Sequence, residues 1–219
     1  CPITQPAKRQ TGNRPHSQLH SLNHPIKIVA IGVSTGGPNA LTTLFSALPH
    51  PFPVPIVIVQ HMPPLFTKRL AERLTTQGAI PVLEGDTNCR LQPGKAWIAP
   101  GNFHMVVERQ GTEVMLQLHQ APPENSCRPS VDVLFRSVTK AYGGSTLGLI
   151  LTGMGQDGLH GCESIREVGG QVFVQDEASS VVWGMPGIVA QAGLANQVLP
   201  LEQMADAIMQ RVGMISHGH

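Results

Sequence analysis

Four apolar runs constrain this chain more than any other feature: IKIVAIG (26–32), PIVIVQH (55–61), TLGLILTG (146–153) and QVFVQ (171–175). None shows the strict apolar–polar alternation of a strand with one wet face. Each is rich in β-branched residues, as expected of a strand buried on both faces. Between and after them lie segments with helical spacing. Residues 39–48 carry Ala40, Leu44, Ala47 and Leu48 on one side, and LFTKRLAERL (65–74) carries Leu70 and Leu74. VDVLFRSVTKAY (131–142), GLHGCESIREVG (158–169) and MPGIVAQAG (185–193) read as further helices, and VLPLEQMADAIMQRV (198–212) as a short strand and a helix. Doubly buried strands alternating with helices predict a parallel sheet covered on both faces.

The middle of the chain departs from that rhythm. IPVLEG (80–85), KAWIAPG (95–101) and HMVVERQGTEVMLQLHQ (104–120) read as short strands, the last folded at Gln110-Gly111. They predict an antiparallel patch added to the parallel sheet. The expected fold class is therefore α/β: a three-layer α/β/α domain whose mostly parallel, doubly wound sheet carries a small antiparallel β element.

A chain of 219 residues is long enough for one such domain with a full core. Residues 1–25, CPITQPAKRQTGNRPHSQLHSLNHP, are instead rich in Pro, Gln, Asn, Ser and His, which is linker composition with no signal-peptide core. The expected organisation is a linker over 1–25, trailing some upstream unit, and one domain over 26–219.

With 15 Lys+Arg against 14 Asp+Glu, the chain has no basic excess that would mark a nucleic-acid partner. No apolar run approaches the length of a membrane span, so no membrane insertion is expected. The expected state is a cytoplasmic monomer. Cys1, Cys89, Cys127 and Cys162 are scattered and read as free thiols in a reducing compartment. Ten histidines invite a metal, yet no H-E-x-x-H or similar close ligand spacing occurs, and no metal or cofactor is expected. His217 and His219 read as solvated tail.

The first apolar run opens into IGVSTGGP (31–38). Read as a dinucleotide fingerprint, this turn fails twice. Ser34 stands where the pyrophosphate needs a middle glycine, and Gln60-His61, not an acid, ends the second strand. A mononucleotide P-loop is excluded because no G-K-[ST] follows. Read as a nucleophile elbow, Gly32-x-Ser34-x-Gly36 puts a serine hydroxyl at the top of the sheet, beside the amides of the next helix.

A serine needs a base and a group to orient that base. His61 ends the adjacent run and is the natural base, with His104, His119 and His160 as rivals. Asp157, in the glycine-punctuated loop LTGMGQDG, is the natural acid. It also sits where an aspartate would cap the helix starting near Gly158. Capping and orienting compete for one carboxylate. A backbone amide of the same loop can complete an oxyanion hole. The chain order Ser, His, Asp differs from the Ser, Asp, His order of α/β-hydrolases, so an ordinary lipase or esterase is a poor match.

IVAIGVSTGGP, VIVQHMPPLFTKRLAERL, IAPGNFHM, RPSVDVLFRSV, ILTGMGQDG and DEASSVVWGMP occur in this order over roughly residues 26–212. Together they strongly resemble the catalytic domain of the chemotaxis protein-glutamate methylesterases, the CheB family. The resemblance implies a serine-hydrolase triad of Ser34 as nucleophile, His61 as base and Asp157 as orienting acid, with backbone amides of Thr35 and Met154 as oxyanion donors. It implies hydrolysis of γ-glutamyl methyl esters on the cytoplasmic helices of methylated chemoreceptors, and deamidation of receptor glutamines. It further implies an N-terminal receiver domain as regulator, which these residues do not contain. Met62, Met154 and Met185 could line a groove for the protein substrate, with ordinary packing the competing reading.

Overall fold

The computed structural model describes residues 24–213. The linker assigned to residues 1–25 falls almost wholly outside them, as do Cys1, His217 and His219.

In chain order the elements are β1 (Ile28–Val33), α1 (Gly37–Ala47), β2 (Ile56–Gln60), α2 (Phe66–Gln77), β3 (Val82–Glu84), β4 (Ala96–Ile98), β5 (His104–Gln110), β6 (Glu113–His119), α3 (Val131–Tyr142), β7 (Thr146–Ile150), α4 (Leu159–Glu167), β8 (Gln171–Gln175), α5 (Met185–Gln191), β9 (Gln197–Leu199) and α6 (Leu201–Arg211). Seven strands form one sheet in the order β3-β4-β2-β1-β7-β8-β9. Every neighbouring pair in it is parallel.

The expected antiparallel patch is smaller than the sequence suggests. β3 and β4 extend the parallel sheet beyond β2, and only β5 and β6 pair antiparallel, as a hairpin of their own. Short strands carry too little periodicity to reveal their direction. For β3 the direction follows from α2, which returns the chain to the sheet edge as a crossover must.

Alternate residues of each strand enter different cores. Val29, Ile31 and Val33 of β1 pack with Leu41, Leu44 and Phe45 of α1, Leu70 and Leu74 of α2, and Met204 and Ile208 of α6. Ile28 and Ala30 face the opposite layer, where Leu134, Phe135 and Val138 of α3, Ile165 of α4, Val189 of α5 and Leu116 of the hairpin gather. The β1 and β2 residues are all buried, which explains why these segments show no polar alternation. At about 25 cal/mol per Å² of apolar surface removed from water, each fully buried Leu, Ile or Phe contributes about 1.5–3 kcal/mol, so both layers are needed to hold the sheet.

Candidate active site

Connections from β1 run towards β2 on one side, whereas β7 and β8 lie on the other. The strand order therefore reverses between β1 and β7. A crevice opens at the carboxyl ends of strands at such a reversal. Ser34 leaves β1 there, His61 leaves β2, and Asp157 lies in the loop after β7.

Register places the first two side by side. Val33 pairs with Gln60, and the His61 amide donates to the Val33 carbonyl (3.1 Å). From the other side the Ser34 amide donates to the Thr152 carbonyl (3.0 Å), and the Thr152 hydroxyl donates to the Thr35 carbonyl (2.9 Å). Gly36 turns the chain into α1 with φ of 82°, which a side chain disfavours. Gly153 permits the closest approach: a Cβ there would lie 2.8 Å from the Ser34 Cβ. The loop carrying Met154 is thus pressed against the serine turn. The Thr35 and Met154 amides donate to no group among the described residues.

Asp157 does not cap its own helix. Its carboxylate takes the His61 Nε2–H (2.8 Å) and the Val131 amide (2.7 Å) on Oδ2. Oδ1 takes the Ser130 hydroxyl (2.8 Å), the Asp132 amide (3.1 Å) and the Asn125 side-chain amide (3.1 Å). Val131 and Asp132 begin α3, so Asp157 serves a helix distant in sequence. The cap of α4 is left to Asp132, whose Oδ1 accepts from the amides of Gly158 (3.0 Å) and Gly161 (2.6 Å). The expected competition between capping and orienting is therefore corrected. One carboxylate does both, because each of its oxygens accepts more than one donor and the helix it caps points at it across the crevice.

The electrostatics follow from this arrangement. Burial resists the loss of a proton from Asp157, but the His61 hydrogen bond and the α3 amides outweigh it and hold the carboxyl below its usual value. Burial likewise disfavours the imidazolium of His61. Hydrogen bonds to Asp157 and Cys127 reverse that, raising its pKa from 6.5 to about 9.

The three residues are not all in contact. His61 and Asp157 are bonded, whereas the Ser34 hydroxyl makes no hydrogen bond among the described residues. The ring turns Nε2 to the carboxylate and Nδ1 away from it, the reverse of the usual serine-protease arrangement. Facing Nδ1 at 3.8 Å is the sulfur of Cys127. His61, Cys127 and Asp157 also bring one potential metal-ligand atom each to within 4.8 Å of one another. Cys89, Cys127 and Cys162 are free thiols.

The rival histidines are elsewhere. His160 is exposed on α4 beside Glu163, and His119 stacks on His104 at the hairpin end. His104 is buried and receives the Ser130 amide on Nδ1 (3.3 Å), so it supports the α3 N-terminus. Met185 is a core residue at 1% exposure, so it lines no groove, while Met154 is 74% exposed. A hollow of about 720 Å³ lies between α2, β3 and Leu118, away from all three predicted residues.

Several residues of the site carried little sequence signal. Gln60 is buried at the end of β2 and donates to the carbonyls of Ser34 (2.9 Å) and His61 (3.0 Å), tying the two turns together. Gln175 does the same for the β7 loop by accepting from the Thr152 amide (2.8 Å). A glutamine closing an otherwise apolar strand was the available clue. Asn125 and Ser130, in the loop before α3, and Asp132, in its first turn, have partners far along the chain.

A model of the family described as CheB methylesterase matches residues 29–208. The chain belongs to the CheB methylesterase family. Among its relatives, a protein of Trichodesmium erythraeum (strain IMS101) named protein-glutamate methylesterase/protein-glutamine glutaminase is 64% identical over 188 residues, covering 86% of this chain and 53% of the relative. One of the same name from Maricaulis maris (strain MCS10) is 52% identical over 185 residues, covering 84% of this chain and 46% of the relative. The chain thus spans about half the length of these curated relatives. The crystal structure of the Thermotoga maritima CheB methylesterase catalytic domain matches with a TM-score of 0.83 at 40% identity, over 84% of this chain and 98% of that one. The CheB fold accordingly extends to the small antiparallel hairpin packed against α3.

Proposed function

We propose that this chain is a protein-glutamate methylesterase that hydrolyses γ-glutamyl methyl esters on the cytoplasmic helices of chemoreceptors, and that it also deamidates receptor glutamines. The observation that carries the reading is the 2.8 Å bond between His61 Nε2 and Asp157 Oδ2, set beside the serine turn at the switch point of the sheet. The names of the family and of its relatives supply the substrate class.

In this reading Asp157 fixes the tautomer, so that neutral His61 presents a bare Nδ1. As the Ser34 oxygen attacks the ester carbonyl, Nδ1 takes its proton. The tetrahedral oxyanion collects the partnerless amides of Thr35 and Met154. Collapse breaks the acyl–oxygen bond, and the imidazolium gives its proton to methanol. Water then repeats the sequence on the acyl-enzyme and frees glutamate and Ser34. The serine–imidazole bond forms as substrate binds, since such contacts are often loose in a free enzyme. An amide has the poorer leaving group, so ester turnover is the faster reaction.

Residues 26–219 are the catalytic unit in this proposal. The additional length of the relatives corresponds to a receiver domain that regulates access, joined through residues 1–25. In this proposal the protein works in the cytoplasm, as a monomer and without a cofactor. Among the described residues no helix is long and apolar enough to cross a membrane. The test is methanol release from methyl-labelled chemoreceptor membranes by this chain and by Ser34→Ala. Release by the unmodified chain alone supports the reading, and equal release by both ends it.

A further inference from the structure

Cys127 sits in an unusually well pinned turn. Glu124 and Cys127 exchange two backbone hydrogen bonds (3.1 and 2.9 Å) around Asn125 and Ser126, whose φ values of 52° and 62° suit a tight hairpin turn. The Arg136 guanidinium grips both Glu124 oxygens (2.7 and 2.6 Å), and the Asn125 side chain donates to Asp132 (2.8 Å) and Asp157 (3.1 Å). The sulfur is therefore held in place, not swung there by chance. It lies 3.8 Å from His61 Nδ1, at the edge of an open hollow of about 320 Å³ that both residues line.

Sulfur and an imidazole lone pair at this spacing match a soft divalent cation. With Zn–S of about 2.3 Å and Zn–N of about 2.0–2.1 Å, a tetrahedral zinc holds its N and S ligands about 3.6 Å apart. A separation of 3.8 Å needs only a modest opening of that angle. The outer shell is also present. The Asp157 carboxylate accepts the opposite ring N–H, as a carboxylate does behind a zinc-bound histidine, and so aims Nδ1 outward. Asp157 itself is not a ligand, because its oxygens are already engaged by five donors.

We propose that Cys127 Sγ and His61 Nδ1 form a binding site for Zn²⁺ or a similar thiophilic cation, with water filling its remaining positions. Binding forms one Zn–S and one Zn–N bond, and the thiol proton and, where His61 is protonated, its Nδ1 proton are released to solvent. The cation occupies the lone pair that the proposed reaction requires of His61, so it inhibits the esterase. The inhibitory consequence rests on the methylesterase reading; the binding site does not.

Cobalt(II) is the probe for the site itself, added to the reduced, metal-free full chain. One equivalent is expected to produce a near-ultraviolet thiolate-to-cobalt charge-transfer band that Zn²⁺ removes. Cys127→Ser is expected to lack the band, and His61→Gln to bind at least tenfold more weakly. No band in the unmodified chain, or an undiminished band in Cys127→Ser, overturns the site, the latter assigning the metal to other cysteines. In the methanol assay, Cys127→Ser is expected to need at least tenfold more Zn²⁺ for half-inhibition than the unmodified chain. Equal zinc sensitivity overturns the inhibitory role. Absence of any metal-free turnover would sink the methylesterase reading while leaving the cobalt result to decide the site.

Discussion

Asp132 and Asp157 exchange helices. Asp157 precedes α4 yet accepts the first two amides of α3, while Asp132, in the first turn of α3, accepts the Gly158 and Gly161 amides that open α4. The swap locks the two helix starts together and holds the Asp157 carboxylate under His61. It is built from charge-assisted hydrogen bonds inside the protein, where an unpaired amide is costly.

Removing one half of this exchange should be felt in stability. Asp132→Ala leaves two buried amides without acceptors and is expected to cost about 2–4 kcal/mol. Urea denaturation followed by circular dichroism measures it, and an unchanged midpoint would contradict the exchange as a stabilising device. Activity should fall with it, because the Gly158 amide adjoins Asp157.

Ser34→Ala should separate chemistry from folding. The hydroxyl has no hydrogen-bond partner among the described residues, so its loss strands no buried group and stability should change by less than about 0.5 kcal/mol. Turnover should fall on the order of 10⁶-fold if Ser34 is the nucleophile. Paired urea curves and methanol-release rates decide it. Substantial remaining turnover in a folded variant would remove the serine from the mechanism.

The raised pKa of His61 makes activity and stability respond oppositely to pH. In the proposed mechanism His61 acts as the base only when neutral, so kcat/KM should climb with pH through a midpoint well above 6.5, towards about 9. Stabilisation from the charged imidazole has the reverse sign. It is fully present below 6.5 and fades as pH rises to about 9. Asp157, held low, contributes above its ordinary value of 3.8 and loses that contribution as pH falls through its folded value. Stability should therefore peak in mildly acid solution, where the enzyme is slow. Asp157→Asn should drop turnover about 10⁴-fold and bring the activity midpoint down. A rate independent of pH between about 6 and 9 would argue against His61 as the base, because the neutral imidazole is gained across that range.

Gly153 offers a test of the close approach between loops. A Cβ at this position would meet the Met185 sulfur at 2.5 Å and the Ser34 Cβ at 2.8 Å. Gly153→Ala should cost about 1–3 kcal/mol through overpacking and lower kcat more than tenfold by displacing Met154 from the serine turn. Thermal unfolding together with kcat and KM reads both effects. Unaltered kcat would mean that the loop plays no part in the reaction.

Most of the architecture lies in local patterns of the chain. Unbroken apolar runs require strands covered on both sides, and the intervening helical spacing supplies the covers, so the layered α/β plan and the positions of Ser34, His61 and Asp157 at strand ends are legible residue by residue. These are short-range properties, dictated by side-chain period and by which surfaces must leave water. Strand direction at β3 and β4 was not legible, because three-residue strands hold no directional signal and only their pairing in the folded sheet sets it. Nor was the second duty of Asp157, the choice of Nε2 for the carboxylate, or the arrival of Cys127 at Nδ1. Each joins residues tens of positions apart, and their hydrogen bonds depend on which helix N-terminus the folded sheet aims at the crevice. Local sequence determined which groups stand at the site; the tertiary packing of α3 against α4 decided what each of them touches.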